Sequence, residues 1–214
     1  MKNNISLFLL PVSRPITIFA LVCICLSPML NAQNAVIKVN LAALLQKNIG
    51  GGVEVKLSNR WTAEVSATTV GKSTGISGDT SSVYSRESGF VASPELRYYF
   101  GGEYAEAPRG FFIGPNALYE RAKLTYSTTP DSLGNVVTTT GDAGNWGVGL
   151  IVGSQWLFGD RFAVELFFNP YYNIPNISGD IATNSASNAF IRNYKDQKSG
   201  FSFKRIGLSI GVAF

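Results

Sequence analysis

Eight stretches of this chain alternate apolar and polar residues with a period of two. No stretch after residue 32 approaches the ~18 consecutive apolar residues of a transmembrane helix. That pairing of facts constrains the fold more than any motif. Period two puts one residue set on each face of a strand. The alternating segments are 36–45, 51–58, 61–70, 90–100, 111–123, 144–157, 162–172 and 200–214. Val53, Val55 and Leu57 oppose Glu54 and Lys56. Trp146, Val148, Leu150, Val152 and Trp156 oppose Asn145, Gly147, Gly149, Gly153 and Gln155. Helical periodicity is absent from this reading, and 36–45 is taken as one strand. Pro94 cannot donate to a ladder, so a bulge is expected there.

Three features turn these segments into a membrane barrel. Their lengths centre on about 9–11 residues, the length of a tilted transmembrane strand. Short connections alternate with the long polar stretches 71–89, 125–143 and 173–199, as short periplasmic turns alternate with long outer loops. The connection near Gln46–Gly50 is the short exception. Trp61, Phe100, Phe111, Trp156, Phe162 and Phe214 fall at one end of their strands and on the apolar parity, as an interfacial girdle would. A soluble sandwich or lipocalin-like barrel also alternates, but has no reason to gather aromatics at one end. The expected fold is all-β: an antiparallel, up-and-down transmembrane β-barrel of about eight strands, spanning residues 33–214.

Residues 1–32 are read as a signal peptide. Lys2 and Arg14 precede an apolar run, Ile16 to Leu26, and Leu30-Asn31-Ala32 offers a cleavage site. A membrane anchor fits less well, because Pro15 and Pro28 bracket a run too short to span comfortably. Val22 and Ile24 precede the two cysteines, Cys23 and Cys25, which argues against lipidation. The mature chain then has no cysteine and no histidine. The whole chain has 18 Lys and Arg against 14 Asp and Glu. Without Lys2 and Arg14 the balance is 16 to 14, a net charge of about +2, too weak and dispersed for a nucleic-acid partner.

The carboxyl end alternates Leu208, Ile210, Val212 and Phe214 with Gly207, Ser209, Gly211 and Ala213. It resembles the terminal strand of Gram-negative outer-membrane proteins. The resemblance implies that those four residues form an assembly signal read by the barrel assembly machinery. Over residues 36–214 the pattern resembles the small eight-stranded class, the OmpA-transmembrane, OmpX and OmpW type. Its Asn40-Leu41 strand followed by Gly51-Gly52-Val53-Glu54 is most similar to uncharacterised members. The implied location is the cell outer membrane, with outer-membrane lipid and lipopolysaccharide as surroundings.

The polar parity holds Lys38, Glu54, Lys56, Glu64, Glu95, Arg97, Glu120, Glu165 and Arg205. An eight-stranded barrel has an interior that side chains fill, so these groups are expected to pair. The sharper alternative is a gated polar pathway or titratable switch. Catalysis has little support: histidine-dependent mechanisms are excluded, and pairing accounts for the glutamates. No cofactor is expected. Metal-ligand spacing is missing too, since the loop acids Asp79, Asp131, Asp142, Asp180 and Asp196 are scattered. Gly50-Gly51-Gly52 lacks the Lys and Ser/Thr of a phosphate loop. The outer stretches, with Tyr84, Arg86, Tyr126, Phe190, Arg192 and Tyr194, offer a surface for binding on a rigid scaffold. The expectation is a structural or surface-interaction protein without enzymatic activity. The alternative is a narrow channel or carrier for small or apolar solutes.

Overall fold

The computed structural model describes residues 34–77, 82–100, 106–128, 138–178, 196 and 198–214. The expected leader, residues 1–32, lies outside them. The strands are β1 (Ala35–Asn40), β2 (Gly50–Lys56), β3 (Trp61–Ser77), β4 (Ser82–Phe100), β5 (Gly110–Thr128), β6 (Thr138–Phe158), β7 (Phe162–Ser178) and β8 (Gly200–Ala213). Each pairs antiparallel with the next, and β8 returns to β1 to close an eight-stranded barrel. Within the closed ring each strand has a neighbour on both sides, the condition a strand must meet in lipid, while β3 beyond Thr68 pairs with β4 alone. The seam ends at the carboxyl terminus, where Phe214 and Ala35 exchange backbone hydrogen bonds of 2.9 and 3.3 Å.

The structure corrects three expectations. Residues 36–45 are not one strand: β1 stops at Asn40, and Leu41–Leu45 forms a short helix, α1. The Asn40 side chain accepts from the Ala43 amide at 3.0 Å, capping a run of Leu and Ala that favours helix. The long polar stretches contribute strand, 71–89 through all its described residues, 125–143 at both ends and 173–199 at its start. β3 runs to Ser77 and β4 starts at Ser82, and 125–143 contributes to both β5 and β6. Ser, Thr and Gly carry no apolar alternation, so the pattern faded while the ladder continued. Tyr84, Arg86 and Tyr126 therefore lie within strands, whereas Phe190, Arg192 and Tyr194 lie outside the described residues.

The bulge falls elsewhere as well. Register is unbroken through Pro94 opposite Val65. The Ser93 hydroxyl donates to the Ala117 carbonyl at 3.0 Å, supplying a donor where the proline has none. The described register shift lies between Asn169 and Tyr171, at Pro170. The β6–β7 turn is tight, with left-handed residues at Gly159 (φ 58°) and Asp160 (φ 56°).

The two faces of the wall differ in chemistry. Along β6, the outward row is Trp146, Val148, Leu150, Val152, Ser154 and Trp156, and the apolar members are exposed. Its inward row of Asn145, Gly147, Gly149, Ile151, Gly153 and Gln155 is polar or small, apart from Ile151. Aromatics mark two levels. Trp61, Phe100, Phe111, Trp156, Phe162 and Phe214 are all exposed at the end carrying the short turns. At the other end Phe90, Tyr119 and Trp146 form a chain of ring contacts at 6.1 and 4.5 Å, and Tyr172 meets Phe201 at 5.1 Å. Trp146 and Trp156 are ten residues apart on one face. At about 3.4 Å per residue and a tilt of about 45°, that is a band roughly 24 Å tall.

Candidate functional site

The barrel interior gathers most of the charged residues on the polar parity. Small inward residues make room for large ones: a Cβ on Gly207 would collide with the Phe167 ring, and one on Gly153 with Phe112. Lys38, Glu54, Glu64, Glu95, Arg97 and Glu165 form one cluster, with all six side chains no more than 6% exposed.

Arg97 is its hub. Its guanidinium donates to Glu95 at 2.6 and 3.0 Å and to Glu165 at 2.7 Å, and lies 2.7 Å from Glu64. It also stacks over the Phe112 ring at 4.4 Å. The Lys38 ammonium sits between Glu54 and Glu64, 2.7 Å from each, and also contacts Glu165. Glu54 Oε1 accepts from Thr62 at 2.6 Å and from the Tyr99 hydroxyl at 2.7 Å. Its Oε2 accepts no well-aligned hydrogen bond, although Lys38 is at ion-pair distance. Charge rather than hydrogen-bond geometry holds that oxygen.

Oxygens of Glu54, Glu64 and Glu165 lie within 4.8 Å of one another, close enough to share a cation. Lys38 contacts all three, so its ammonium already occupies that role.

The remaining predicted residues are arranged differently. Arg205 is half out of the cluster, 4.0 Å from Glu95, and donates to Ser93 and Asn169 at 3.0 Å. Glu120 belongs to a separate layer. It takes Lys198 at 2.7 Å and the Asn145 amide at 3.2 Å, while Lys198 also reaches Glu87 at 3.3 Å. Between the layers, Asn116 and Asn169 exchange amide hydrogen bonds of 3.0 and 2.9 Å. Lys56 turns to the short-turn mouth and pairs with exposed Glu106 at 2.6 Å. That contact holds the Glu106 carboxyl below the usual range, through the Lys56 hydrogen bond first and its charge second.

Tyr99 and Thr62 are absent from the sequence-derived set, although both share the inward parity of Arg97 and Glu64. Counting every polar residue on that parity would have found them. Lys198 and Glu106 lie outside the alternating segments and gave no such signal. The space left among Lys38, Glu64, Arg97, Phe167 and Arg205 is about 10 Å³, roughly one water. Leu208, Ile210, Val212 and Phe214 point outward, each at least 40% exposed.

Fold and interior together define a class: closed eight-stranded barrels, ionic within and apolar without. The chain belongs to the family described as "protein of unknown function (DUF3575)", whose model matches residues 17–172. No curated protein matches it in sequence. Among solved structures, it is similar to the N-terminal β-barrel domain of Pseudomonas aeruginosa OprF, at 15% identity and a TM-score of 0.35, covering 86% of this chain and 100% of that one. Ail, the attachment invasion locus protein of Yersinia pestis, was solved with the heparin analogue sucrose octasulfate. It is 10% identical with a TM-score of 0.44, covering 86% and 100%. Acinetobacter baumannii CarO is 13% identical with a TM-score of 0.40, covering 86% and 97%. The barrel topology stands on the strand pairing itself.

Proposed function

We propose that this protein is an integral outer-membrane β-barrel with a structural or surface-interaction role, its lumen closed by paired charges and its activity non-enzymatic. The observation that carries this reading is the ionic cluster around Arg97. Four buried carboxylates meet two buried cations, with Arg205 at the edge, and the void beside them is about the size of one water. Such an interior fixes strand register and leaves no continuous path for a solute. The apolar outward rows between two aromatic levels support a membrane location, with the short turns on the periplasmic side. In this reading the signal peptide delivers the chain, and Leu208, Ile210, Val212 and Phe214 engage the barrel assembly machinery. Lipid and lipopolysaccharide surround the wall, and the outer connections meet the ligand or surface.

The test is conduction. Purified protein in planar bilayers should stay closed or show only small, rare openings. Steady, large, ion-selective currents would defeat the closed-lumen reading and favour a narrow channel. Deleting Phe214 should lower outer-membrane levels sharply, and unchanged levels would remove the proposed assembly signal.

A further inference from the structure

The outward face of β6 carries one residue that does not belong to its row. Between Trp146 and Trp156 every other outward position is Val or Leu, but Ser154 stands two residues before Trp156. It pairs across the sheet with Phe111 and Leu166, both exposed and outward, so the serine faces outward with them. Yet Ser154 is only 7% exposed. The larger side chains around it overhang it and leave a notch in the wall.

That notch is the floor of an apolar hollow of about 490 Å³, walled by Phe111, Ile113, Val152, Trp156, Leu166 and Phe168. The volume is within the ~300–1,000 Å³ of small-molecule sites. The Ser154 hydroxyl has no hydrogen-bond partner among the described residues. That hydroxyl opens onto the hollow among aromatic and aliphatic walls, and in a hydrocarbon setting it is unfavourable there unless something accepts from it.

The height of the notch narrows the ligand. Phe111 and Trp156 are girdle residues, so Ser154 sits at the level where lipid ester groups meet acyl chains. Below it, at the rim, are two guanidiniums, Arg109 just before β5 and Arg161 in the β6–β7 turn. One carboxylate, Asp160, is 2.6 Å from Arg109. Arg161 is exposed. Glu106, paired with Lys56, also lies near Arg109, so Arg161 is the rim cation here that no side-chain carboxylate among the described residues pairs with.

We propose that this hollow is a binding site for one anionic glycerophospholipid of the periplasmic leaflet. One acyl chain lies along Val152, Ile113 and Phe168. The Ser154 hydroxyl donates to an ester carbonyl, and Arg161, with Arg109, meets the headgroup phosphate. The inference rests on the membrane location and orientation proposed above.

Native mass spectrometry of the folded, full-length mature barrel, with phosphatidylglycerol added to detergent micelles, tests it. The wild type should retain one phosphatidylglycerol per barrel. Ser154→Leu fills the notch and should cut that adduct by about tenfold or more. Ser154→Ala keeps the space but removes the donor, and should weaken retention by about fivefold. Arg161→Gln should reduce the preference for phosphatidylglycerol over phosphatidylcholine. Heat-modifiable gel mobility verifies that each variant is folded, and Ser154→Ala carries the test if Ser154→Leu does not fold. Equal retention in wild type and Ser154→Ala, or the same unspecific ladder of adducts in all chains, overturns the site alone. A wild-type chain that stays soluble without detergent overturns the membrane reading and this inference with it.

Discussion

Ion pairs of nearly the same length occur in two settings in this barrel. Lys38 and Glu64 are 2.7 Å apart with side chains 2% and 6% exposed, while Lys56 and Glu106 are 2.6 Å apart at 16% and 70%. Distance does not rank them; surroundings do. At the rim, water solvates either partner when the other leaves, so an exposed pair contributes little. In the lumen, losing one partner strands the other where water does not reach, and that cost is several times larger. The cluster around Arg97 is therefore an all-or-none device, and the ties at the two mouths are adjustable.

Arg97→Ala is expected to have the largest effect. It leaves four buried carboxylates facing one buried ammonium and removes the ring contact with Phe112. Unfolding by urea in detergent or liposomes should show a loss on the order of 3–5 kcal/mol, with larger or more frequent openings in bilayers. Arg97→Lys should recover only part of this, because an ammonium cannot reproduce the paired donation to Glu95. A barrel indifferent to Arg97→Ala would break the distinction between core and rim.

Lys38→Met sharpens the same contrast. Lys38 meets three carboxylates, Glu54, Glu64 and Glu165, and shares all three with Arg97, Glu54 at the longer distance of 3.8 Å. The single variant should cost about 3 kcal/mol, somewhat less than Arg97→Ala. Combined with Arg97→Ala it should be clearly non-additive, with a coupling of at least about 0.5 kcal/mol. Additive losses would mean that the two cations act as separate pairs.

The inner and outer sides of the wall were legible in the sequence, because period two is a local property that survives without knowledge of the fold. Glu54, Glu64, Arg97 and Glu165 could be placed on one parity from their neighbours alone. Which of them meet across the lumen could not, since that depends on strand stagger around a closed barrel: Lys38 on β1 and Glu165 on β7 lie 127 residues apart. Glu120 shares the parity yet lies in another layer, bound to Lys198 from a segment without periodicity. The tall upper strands were missed for a related reason. In those upper stretches Ser, Thr and Gly predominate in the sequence, so the ladders continue without a visible apolar alternation. The helix at Leu41–Leu45 was missed because five residues are too few to display a helical period, although Asn40 carried the capping signal.

Lys198→Ala probes the upper tie. This side chain is 29% exposed and bridges Glu87 on β4 to Glu120 on β5 from the segment before β8. Its loss should cost about 1–2 kcal/mol, because Glu120 and Glu87 are only 7% and 13% exposed but Glu120 keeps the Asn145 amide as a donor. The change should concentrate in hydrogen exchange near β8's start, leaving the Arg97 layer protected. A loss as large as that of Lys38→Met would place Lys198 within the core rather than at its margin.

Glu106→Gln should have the smallest effect, and its pH dependence shows why. The Lys56 hydrogen bond and charge lower the Glu106 carboxyl below its ordinary value in the folded barrel. A depressed folded value means that the pair's contribution is present above the unfolded carboxylate's pKa and is lost as pH falls through the folded one. At pH 7 Glu106→Gln removes that contribution, whereas in acid below the folded value the wild type has already lost it. Urea midpoints of variant and wild type should therefore differ slightly at neutral pH and converge in acid, with neither difference approaching that of Arg97→Ala. Glu106 is well exposed, so water replaces Lys56 as its partner almost without cost. If the gap instead widened in acid, the lower mouth would be held by something other than the ionised pair, and the contrast with the buried cluster would need a different cause.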